Sequence, residues 1–583
     1  KTNENWEWQS HTVNDSVIYT PIVIDRNHAF TKVDGVLFKQ MLKMLSLDFI
    51  CNYDSLILKD TKKINKLAFA LDMAVAGRSD ESVWIRQAQE IRKQMTDSLI
   101  DSAFTYLPEG VKHDEIELIK RKLKRRRLEL EAVASQYYRL LQRTPVVAGT
   151  NQSDYFLIER QAPDRTILRI YDPETGDCRL EQQFSGRETK ELWLYGLAGN
   201  DTFEVKGNTR KDFPIYLISG EGENQYQLNH NRKIHVYDKD YKYDYQKIKY
   251  HKISFTPWGI YDSDKGISLG TFFTYTMYGF KRAPFTYQHR IGYNYLKGFM
   301  YAGVFPNYDG RRRLYLNASI SSPRNFENFF GFGNNTAGYK EEKKNYNRVK
   351  LRTYMLNPSF EMDLRKEEVV TFFGSLDMYK AKRTDDRYIY TVYGEDHPIF
   401  RTNYFVGLGA TYRITKQPYS WLPLLETKWT AGWKMNLKKP ERNFPYAQGS
   451  LSWNVRFSDR FTWASLMKGT VLFDNDYEFY QAATIDLRGF RDNRFIGKQS
   501  FYQYSDLRLD MGKLKNPFTP LKYGLFAGFD YGRVWFPGER SHSWHTSYGG
   551  GIWLTFLNKF TTKYSWFGST DSFRFAFELG LGF

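Results

Sequence analysis

The chain has almost no cysteine: Cys51 and Cys178 are the two in 583 residues. They fit no metal-ligand spacing and cannot build a disulfide framework, although an oxidising compartment would permit one bridge. Long apolar runs are missing as well. A membrane-crossing helix needs about 20 consecutive apolar residues, and the best run, Leu67–Gly77, reaches about half that and contains Asp72. A helical membrane protein is thereby excluded. No charged-then-apolar leader opens the sequence, which begins on Lys1 rather than Met. That points to a mature or shortened product with further sequence upstream. Acidic residues are in deficit, 66 against 84 Lys and Arg, leaving a net charge of +18. Aromatic residues are scarce in one part only: residues 1–250 hold 28 Phe, Trp and Tyr, and the other 333 residues hold 73. One uniform soluble domain does not distribute its aromatics this way.

The first 250 residues mix helix and strand patterns. A strand-like piece, Ser16–Ile24, precedes helical periodicity over about 61–107, with Ser79 as an expected N-cap. A second helix is expected over 114–141, where Ile116, Ile119, Leu123, Leu130, Val133, Tyr137 and Leu140 recur at three, four or seven. Within it, Lys120–Arg127 carries seven basic residues in eight. A solvated helix face is the default reading; contact with anionic lipid or an acidic partner is the sharper one. No groove-reading fold for nucleic acid accompanies it. From 146 to 250 short strands alternate with turns: Tyr155–Arg160, Thr166–Tyr171, Glu191–Tyr195, Thr202–Val205, Ile215–Ile218 and Lys233–Tyr237.

After residue 255 the hydrophobic period becomes two. Ile267, Leu269, Phe273, Tyr275 and Met277 share one face, against Ser268, Gly270, Thr274 and Thr276 on the other. The terminus alternates more cleanly, with Phe573, Phe575, Phe577, Leu579, Leu581 and Phe583 on one face. Strands of about nine or more residues suit a tilted bilayer crossing, and lipid tolerates strands only in a closed barrel. About fifteen such segments are legible, and bacterial barrels close on an even number, so sixteen is the expected count. Half-apolar strands explain the modest hydrophobic content of 41%, and interfacial girdles explain the aromatic excess. The expected architecture is a 16-stranded antiparallel transmembrane β-barrel over 255–583. Ahead of it come a mainly helical segment, 1–145, and a β-rich one, 146–254.

Between two strand-like segments lies Leu487-Arg488-Gly489-Phe490, within Ile485–Gly497, and five strand-like segments follow it (504–512, 522–536, 547–556, 559–567, 573–583). In the first, Leu507 and Leu509 face lipid, which turns Asp506, Arg508 and Asp510 inward. In the next, Leu525, Phe529 and Tyr531 face out, leaving Asp530 inside beside Gly528 and Gly532. The loop, the strand count after it and the terminal Phe583 resemble the BamA/TamA superfamily of outer-membrane assembly factors, the bacterial surface antigen family. The resemblance implies that Arg488 tucks into the lumen and pairs with Asp530 first, then Asp506 or Asp510. The family's aromatic–x–Asp–x–Gly element is met by Asp530 and Gly532, but Gly528 stands in the aromatic position. Ordinary lumen salt bridges are the competing reading of this cluster.

Tandem strand–helix–helix–strand–strand modules are not found upstream. Pro21–Phe30, the Tyr137-Tyr138-Arg139 helix end and Leu194–Asp201 instead resemble the extension of a Bacteroidetes-type branch, often fused to an upstream metallophosphoesterase. Gly-Asp-x-x-Asp-Arg and Gly-Asn-His-Asp/Glu, the motifs that hold two metals in such enzymes, do not occur here. Asp25, Arg26 and His28 form a compact polar cluster, read first as a loop salt bridge. Gly199–Phe203 and Gly220–Tyr226 each match half of the glycine-rich nonapeptide that binds Ca²⁺ in β-rolls. They lie 23 residues apart where such repeats stack about every nine, which favours plain turns and leaves Asp201 as the calcium candidate.

The resemblance implies a protein of the Gram-negative outer membrane with its N-terminal region in the periplasm. It would insert or translocate proteins through a weak seam between a first strand near Ile267–Met277 and a last strand Phe573–Phe583. Partners would be outer-membrane lipid and lipopolysaccharide, unfolded or translocating clients, and outer-membrane or periplasmic subunits, with no nucleic acid. No complete catalytic motif and no cofactor is expected. A membrane anchor for an upstream metallophosphoesterase and a passive porin are the alternatives.

Overall fold

A computed structural model describes residues 6–13, 16–24, 29–32, 42, 49–107, 113–229, 233–238, 243, 251–279, 284–307, 310–336, 345–416, 425–514, 521–556 and 560–581. The chain divides into two compact units, one of residues 1–250 with 279–282 and one of 251–278 with 283–583. Asp25, Arg26 and His28 lie outside the described residues, as does Phe583.

In the first unit, Trp6–Val13 pairs antiparallel with Ser16–Val23 as a two-stranded ribbon. The main helices are Phe69–Ala76, Glu81–Gln94, Asp97–Ala103, His113–Leu128 and Leu130–Leu141. Asp80, not Ser79, occupies the N-cap of Glu81–Gln94. The helix expected over 114–141 breaks at Glu129. Its carboxylate turns aside to accept the backbone N–H groups of Ile57 (2.8 Å) and Leu58 (3.2 Å). The basic run is mostly consumed inside this unit. Lys122 donates to Tyr53 O, Arg126 to Asp54 O and Arg127 to Met95 O, while Lys124 pairs with Asp101 at 2.7 Å. Arg121 and Arg125 remain the exposed members. Neither a wholly solvated face nor a free lipid-binding face describes it.

The β region of this unit is a pair of sheets built from stacked turns of chain. Val146–Ala148, Leu192–Tyr195, Ile215–Ile218 and Ile234–Tyr237 run parallel in one sheet. Tyr155–Gln161, Thr202–Gly207 and Gln225–Leu228 run parallel in the other, extended by the antiparallel strands Arg165–Tyr171 and Cys178–Ser185. The offset of 23 residues is the height of one coil: Leu192 pairs with Ile215 and Thr202 with Gln225. Phe156, Ile158, Leu168, Leu194, Phe203, Val205 and Leu217 fill the space between the sheets and are shut off from solvent. Both cysteines are free, with Cys178 exposed.

The second unit is a closed antiparallel barrel. Sixteen strands follow one another around it from His251–Asp262 to Phe573–Leu581. The three-residue strand Phe326–Asn328 is a side pairing on Arg348–Arg365 and does not interrupt the ring. The first barrel strand is thus His251–Asp262, one strand earlier than the sequence pattern suggests. Pro257 and Gly259 obscure its alternation. Elsewhere the period of two holds: Ile267, Leu269 and Phe273 are more than half exposed on the outer face, while Ser268, Thr274 and Thr276 are buried inside. An outer surface of Ile, Leu, Phe and Trp has no place in water and suits hydrocarbon. No helix among the described residues is long and apolar enough to cross a membrane.

The two rims differ. At one end lie the connections 322–347, 382–402 and 473–498; at the other lie short turns such as 366–367 and 457–460. The long loops fold inward and pack Phe329, Ile389, Ile399, Phe479 and Ile496 against Phe405 and Tyr379 of the wall. Their aromatic and branched side chains form an apolar cluster on this part of the wall.

Candidate functional site: the lumen loop and the seam

The connection 473–498 is a hairpin. Ala483 pairs with Gly497 and Thr484 with Ile496, which carries residues 485–495 at its tip. Ile485, Leu487, Phe490 and Phe495 are each almost fully buried and pack on Tyr502 and Val534 of the wall. Four apolar anchors hold the tip still enough to aim its charges.

Arg488 reaches two carboxylates on neighbouring strands, Gln499–Leu514 and Leu521–Trp535. Its Nε donates to Asp530 at 3.1 Å and its Nη1 to Asp506 Oδ1 at 2.6 Å, while its own backbone N–H also donates to Asp530 Oδ2 at 3.1 Å. Ser547 Oγ donates to Asp530 at 2.7 Å, and the guanidinium lies 3.9 Å from the Phe567 ring centroid. Asp530 and Asp506 are buried. Asp506 also faces Arg508, whose Nη2 stands 3.6 Å from its Oδ2, and enclosed anions are tolerable only when paired in this way.

The glycines around this pair make the room. A Cβ on Gly528 would stand 2.7 Å from both Arg488 Nη2 and Asp506 Oδ1; one on Gly489 would stand 2.6 Å from Ser547 Cβ. An aromatic residue at 528 would fill the space the guanidinium occupies, which is the physical reason for glycine there. Gly532 is equally tight, since a Cβ would lie 2.6 Å from Tyr502 Cβ.

Asp510 does not join the cluster, contrary to the sequence-based expectation. A β-bulge falls between Asp510 and Gly512, and the Asp510 carboxylate accepts the Gly512 N–H at 2.8 Å to cap it. It sits four residues along the strand from Asp506, roughly 13 Å at the usual rise.

Arg488, Arg491 and Arg494 recur every third residue, and each meets a different carboxylate. Arg491 pairs with Asp264 at 2.7 Å, Arg494 with Asp571, and Arg348 adds to Asp264 at 3.4 Å. These partners are invisible to sequence periodicity, because Asp264 lies 227 residues from Arg491 in a turn. The three-residue arginine spacing was the available signal: so much positive charge on an apolar-anchored tip requires acids from somewhere.

The tip also spans the place where the barrel closes. Arg574, in the last strand, donates to Phe490 O and, at 3.1 Å, to Ser263 Oγ. Ser263 and Asp264 directly follow the first strand. Loop residues 490 and 491 therefore tie the beginning and end of the barrel together at the long-loop rim. Below this tie the closure is short. Among the described residues, only Gly259–Asp262 and Ala576–Leu579 are in register, four pairs, against twelve between His251–Asp262 and its other neighbour and nine between Phe560–Gly568 and Phe573–Leu581. Continuing the register would set Trp258 against Gly580 and Pro257 against Leu581. Proline has no N–H to give and glycine weakens strand pairing, so the ladder stops where these residues begin. Phe575, Phe577, Leu579 and Leu581 occupy the last strand.

Asp201, the calcium candidate, lies in the first unit among stacked turns. Asp154 N–H donates to Asp201 Oδ1 and Asp201 N–H to Asn224 Oδ1, both at 2.9 Å, forming a side-chain ladder up the coils. Arg179 pairs with Asp154 at 2.7 Å. Among the described residues no group of three or more His, Cys, Asp or Glu side chains is placed to hold a metal. Burial, with the nearby Asp154 charge adding to it, pushes the Asp201 carboxyl up to about 7.

No family model matches the chain, and no curated protein matches it. Solved structures similar to it include BamA from Haemophilus ducreyi lacking POTRA domains 1-3, at 12% identity, over 57% of this chain and 70% of that one, TM-score 0.41. CdiB from Acinetobacter baumannii is similar at 12% identity over 57% of this chain and 60% of its own, TM-score 0.35. CdiB from Escherichia coli is similar at 10% identity, with 56% and 62% covered and TM-score 0.36. The chain thus spans less than two thirds of either CdiB chain.

Proposed function

We propose that this chain is an outer-membrane protein of the BamA/TamA type that inserts or translocates proteins by opening its seam, with residues 1–250 in the periplasm and the long-loop rim outward. The observation that carries this reading is the four-pair closure. Every other pair of neighbouring wall strands is in register over seven or more residues, whereas the described residues of the first and last strands are in register over four. A client strand could pair there by edge addition, exchanging water for a sheet partner. The Arg488 pairs position the loop, and the contacts of Phe490 and Arg491 keep the upper seam shut between clients.

A passive porin would give the short closure of the seam no role. An anchor for an upstream metallophosphoesterase would leave the short closure without a role. Depletion in the native bacterium separates these readings. Levels of folded outer-membrane proteins should fall while the chain is withdrawn and recover on its return. Normal levels throughout would end the assembly reading.

A further inference from the structure

Lys350 and Arg352 on Arg348–Arg365, and Lys380 and Lys382 at the end of Glu368–Ala381, point away from the lumen. Their neighbours Val349, Leu351, Tyr379 and Ala381 are buried, while all four cations are exposed. Arg352 stands directly opposite Lys380, and Lys382 N–H donates to Lys350 O at 2.8 Å, so the four form two like-charged cross-strand pairs. Like charges directly opposite one another on a sheet repel. No ion pair to a carboxylate is found for any of the four among the described residues. Glu395, the acid of the neighbouring loop, is bound to Arg383.

Their depth on the barrel is specific. Two residues toward the other rim begin Tyr354, Leu356 and Phe360, and on the paired strand Leu376 and Phe372, all exposed on the outer face. At the usual rise, two residues are roughly 7 Å, so the cations sit just where hydrocarbon gives way to headgroups. Beside them opens a recess of about 400 Å³ lined by Lys380, Lys382, Arg383 and Arg401, with Glu395, Asp396 and His397. The opposite ends of the same two strands look different. There Arg365 and Lys366 are followed directly by Glu367 and Glu368, and Arg365 pairs with Glu368 at 3.5 Å. The excess of positive charge belongs to the long-loop rim alone on these strands.

We propose that Lys350, Arg352, Lys380 and Lys382 bind the phosphates of a phosphorylated saccharolipid headgroup in the leaflet around the long-loop rim. Cross-strand spacing of about 5 Å and along-strand spacing of about 7 Å set four charges on a patch the size of one sugar headgroup. One phosphate satisfies two such cations, so four favour a headgroup with two phosphates. The site would seat an annular lipid on the sixth and seventh wall strands, away from the seam, and hold the barrel at a defined depth. It rests on the reading that the barrel spans the outer membrane with its long loops outward.

The test is native mass spectrometry of the full 583-residue chain in non-ionic detergent, titrated with lipid A carrying two phosphates, one phosphate or none. Affinity should fall with each phosphate removed. The quadruple variant Lys350→Gln/Arg352→Gln/Lys380→Gln/Lys382→Gln should bind the two-phosphate form about tenfold or more weakly, and Arg365→Gln/Lys366→Gln should bind it normally. Inorganic phosphate at equal concentration should not compete, since it lacks the acyl chains that lie on Tyr354 and Leu376. Equal binding of the phosphate-free lipid, or full binding by a quadruple variant that keeps the heat-modifiable gel mobility of a folded barrel, would overturn the site. Displacement by inorganic phosphate would reduce it to a simple anion site and overturn the lipid assignment. The comparison of lipids on the unaltered chain needs no variant and stands if the quadruple fails to fold. Loss of lipid selectivity in a chain that still inserts into bilayers sinks this site alone, whereas failure to insert sinks the barrel reading itself.

Discussion

The stacked coils of the first unit and the barrel of the second are both β-structure, yet they invert each other. In the coils, apolar residues point in: Phe156 and Phe203 stack 4.6 Å apart and see no solvent. In the barrel they point out, and Leu269 and Phe273 are 62% and 51% exposed. Both interiors hold charge: Arg488, Asp506 and Asp530 in the barrel, and in the coils the buried pair of Arg160 and Asp212 at 3.8 Å beside Asp154 with Arg179. Alternation alone does not say which face is the core. The solvent on the far side decides it: water collapses the coils onto their own apolar face, and hydrocarbon lets the ring turn that face outward.

The largest effect should come from breaking the barrel's charged interior. Arg488→Ala leaves the buried Asp530 without its cation and Asp506 with Arg508 alone, and should cost about 3–5 kcal/mol. Loss of heat-modifiable mobility at lower urea would register it, and the doubly altered Arg488→Ala/Asp530→Asn chain should recover part of the loss. A barrel unaffected by Arg488→Ala would mean that the loop is held by its apolar anchors alone.

The same residue type should behave oppositely in the two units. Phe156→Ala opens a cavity between the sheets and should destabilise the coils by about 3–5 kcal/mol, whereas Phe273→Ala, on the lipid face, should cost well under half of that. Hydrogen exchange over 155–161 and over 266–277 in the full chain reads both. Similar losses at the two sites would contradict the inversion.

A smaller effect is expected from the side-chain ladder of the coils. The Asp201 carboxyl is raised from its ordinary 3.8 to about 7 by burial, which outweighs the Asp154 N–H that it accepts. Its neutral form is therefore favoured in the folded state. The ladder should be firmest below about pH 4 and loosen as pH rises to about 7, with no further change from this group above that. Asp201→Asn, which copies Asn224 one coil up, should remove this slope and gain about 1–3 kcal/mol at pH 8. An unchanged exchange profile between pH 5 and 8 would show that the carboxyl finds an unseen cation or water instead.

How much of this was readable from the sequence depended on the range of the interaction. Period-two alternation exposed most wall strands because each outward residue meets the same lipid regardless of its neighbours. His251–Asp262 escaped because Pro257 and Gly259, the residues that shorten the seam, also erase the pattern. Leu192–Tyr195, Ile215–Ile218 and Ile234–Tyr237 were legible but Gln225–Leu228 was not, and neither were the parallel partners, since a 23-residue offset leaves no local trace except the repeated glycine turns. The placement of Arg488 against Asp506 and Asp530 followed from strand alternation together with the family likeness of the loop. Asp510 misled, because a bulge is a backbone event that alternation does not record. The tie from Arg491 to Asp264 joins two loops and could only come from the folded chain.

The seam carries the functional proposal, and a reversible lock tests it most directly. Ile260 and Glu578 are paired across the closure, and Ser450 and Lys468 are paired across an ordinary wall. In a Cys51→Ser/Cys178→Ser background, Ile260→Cys/Glu578→Cys should stop outer-membrane protein assembly when oxidised and restore it on reduction. Ser450→Cys/Lys468→Cys should assemble clients normally in both states. Full assembly with the seam locked would contradict the proposal.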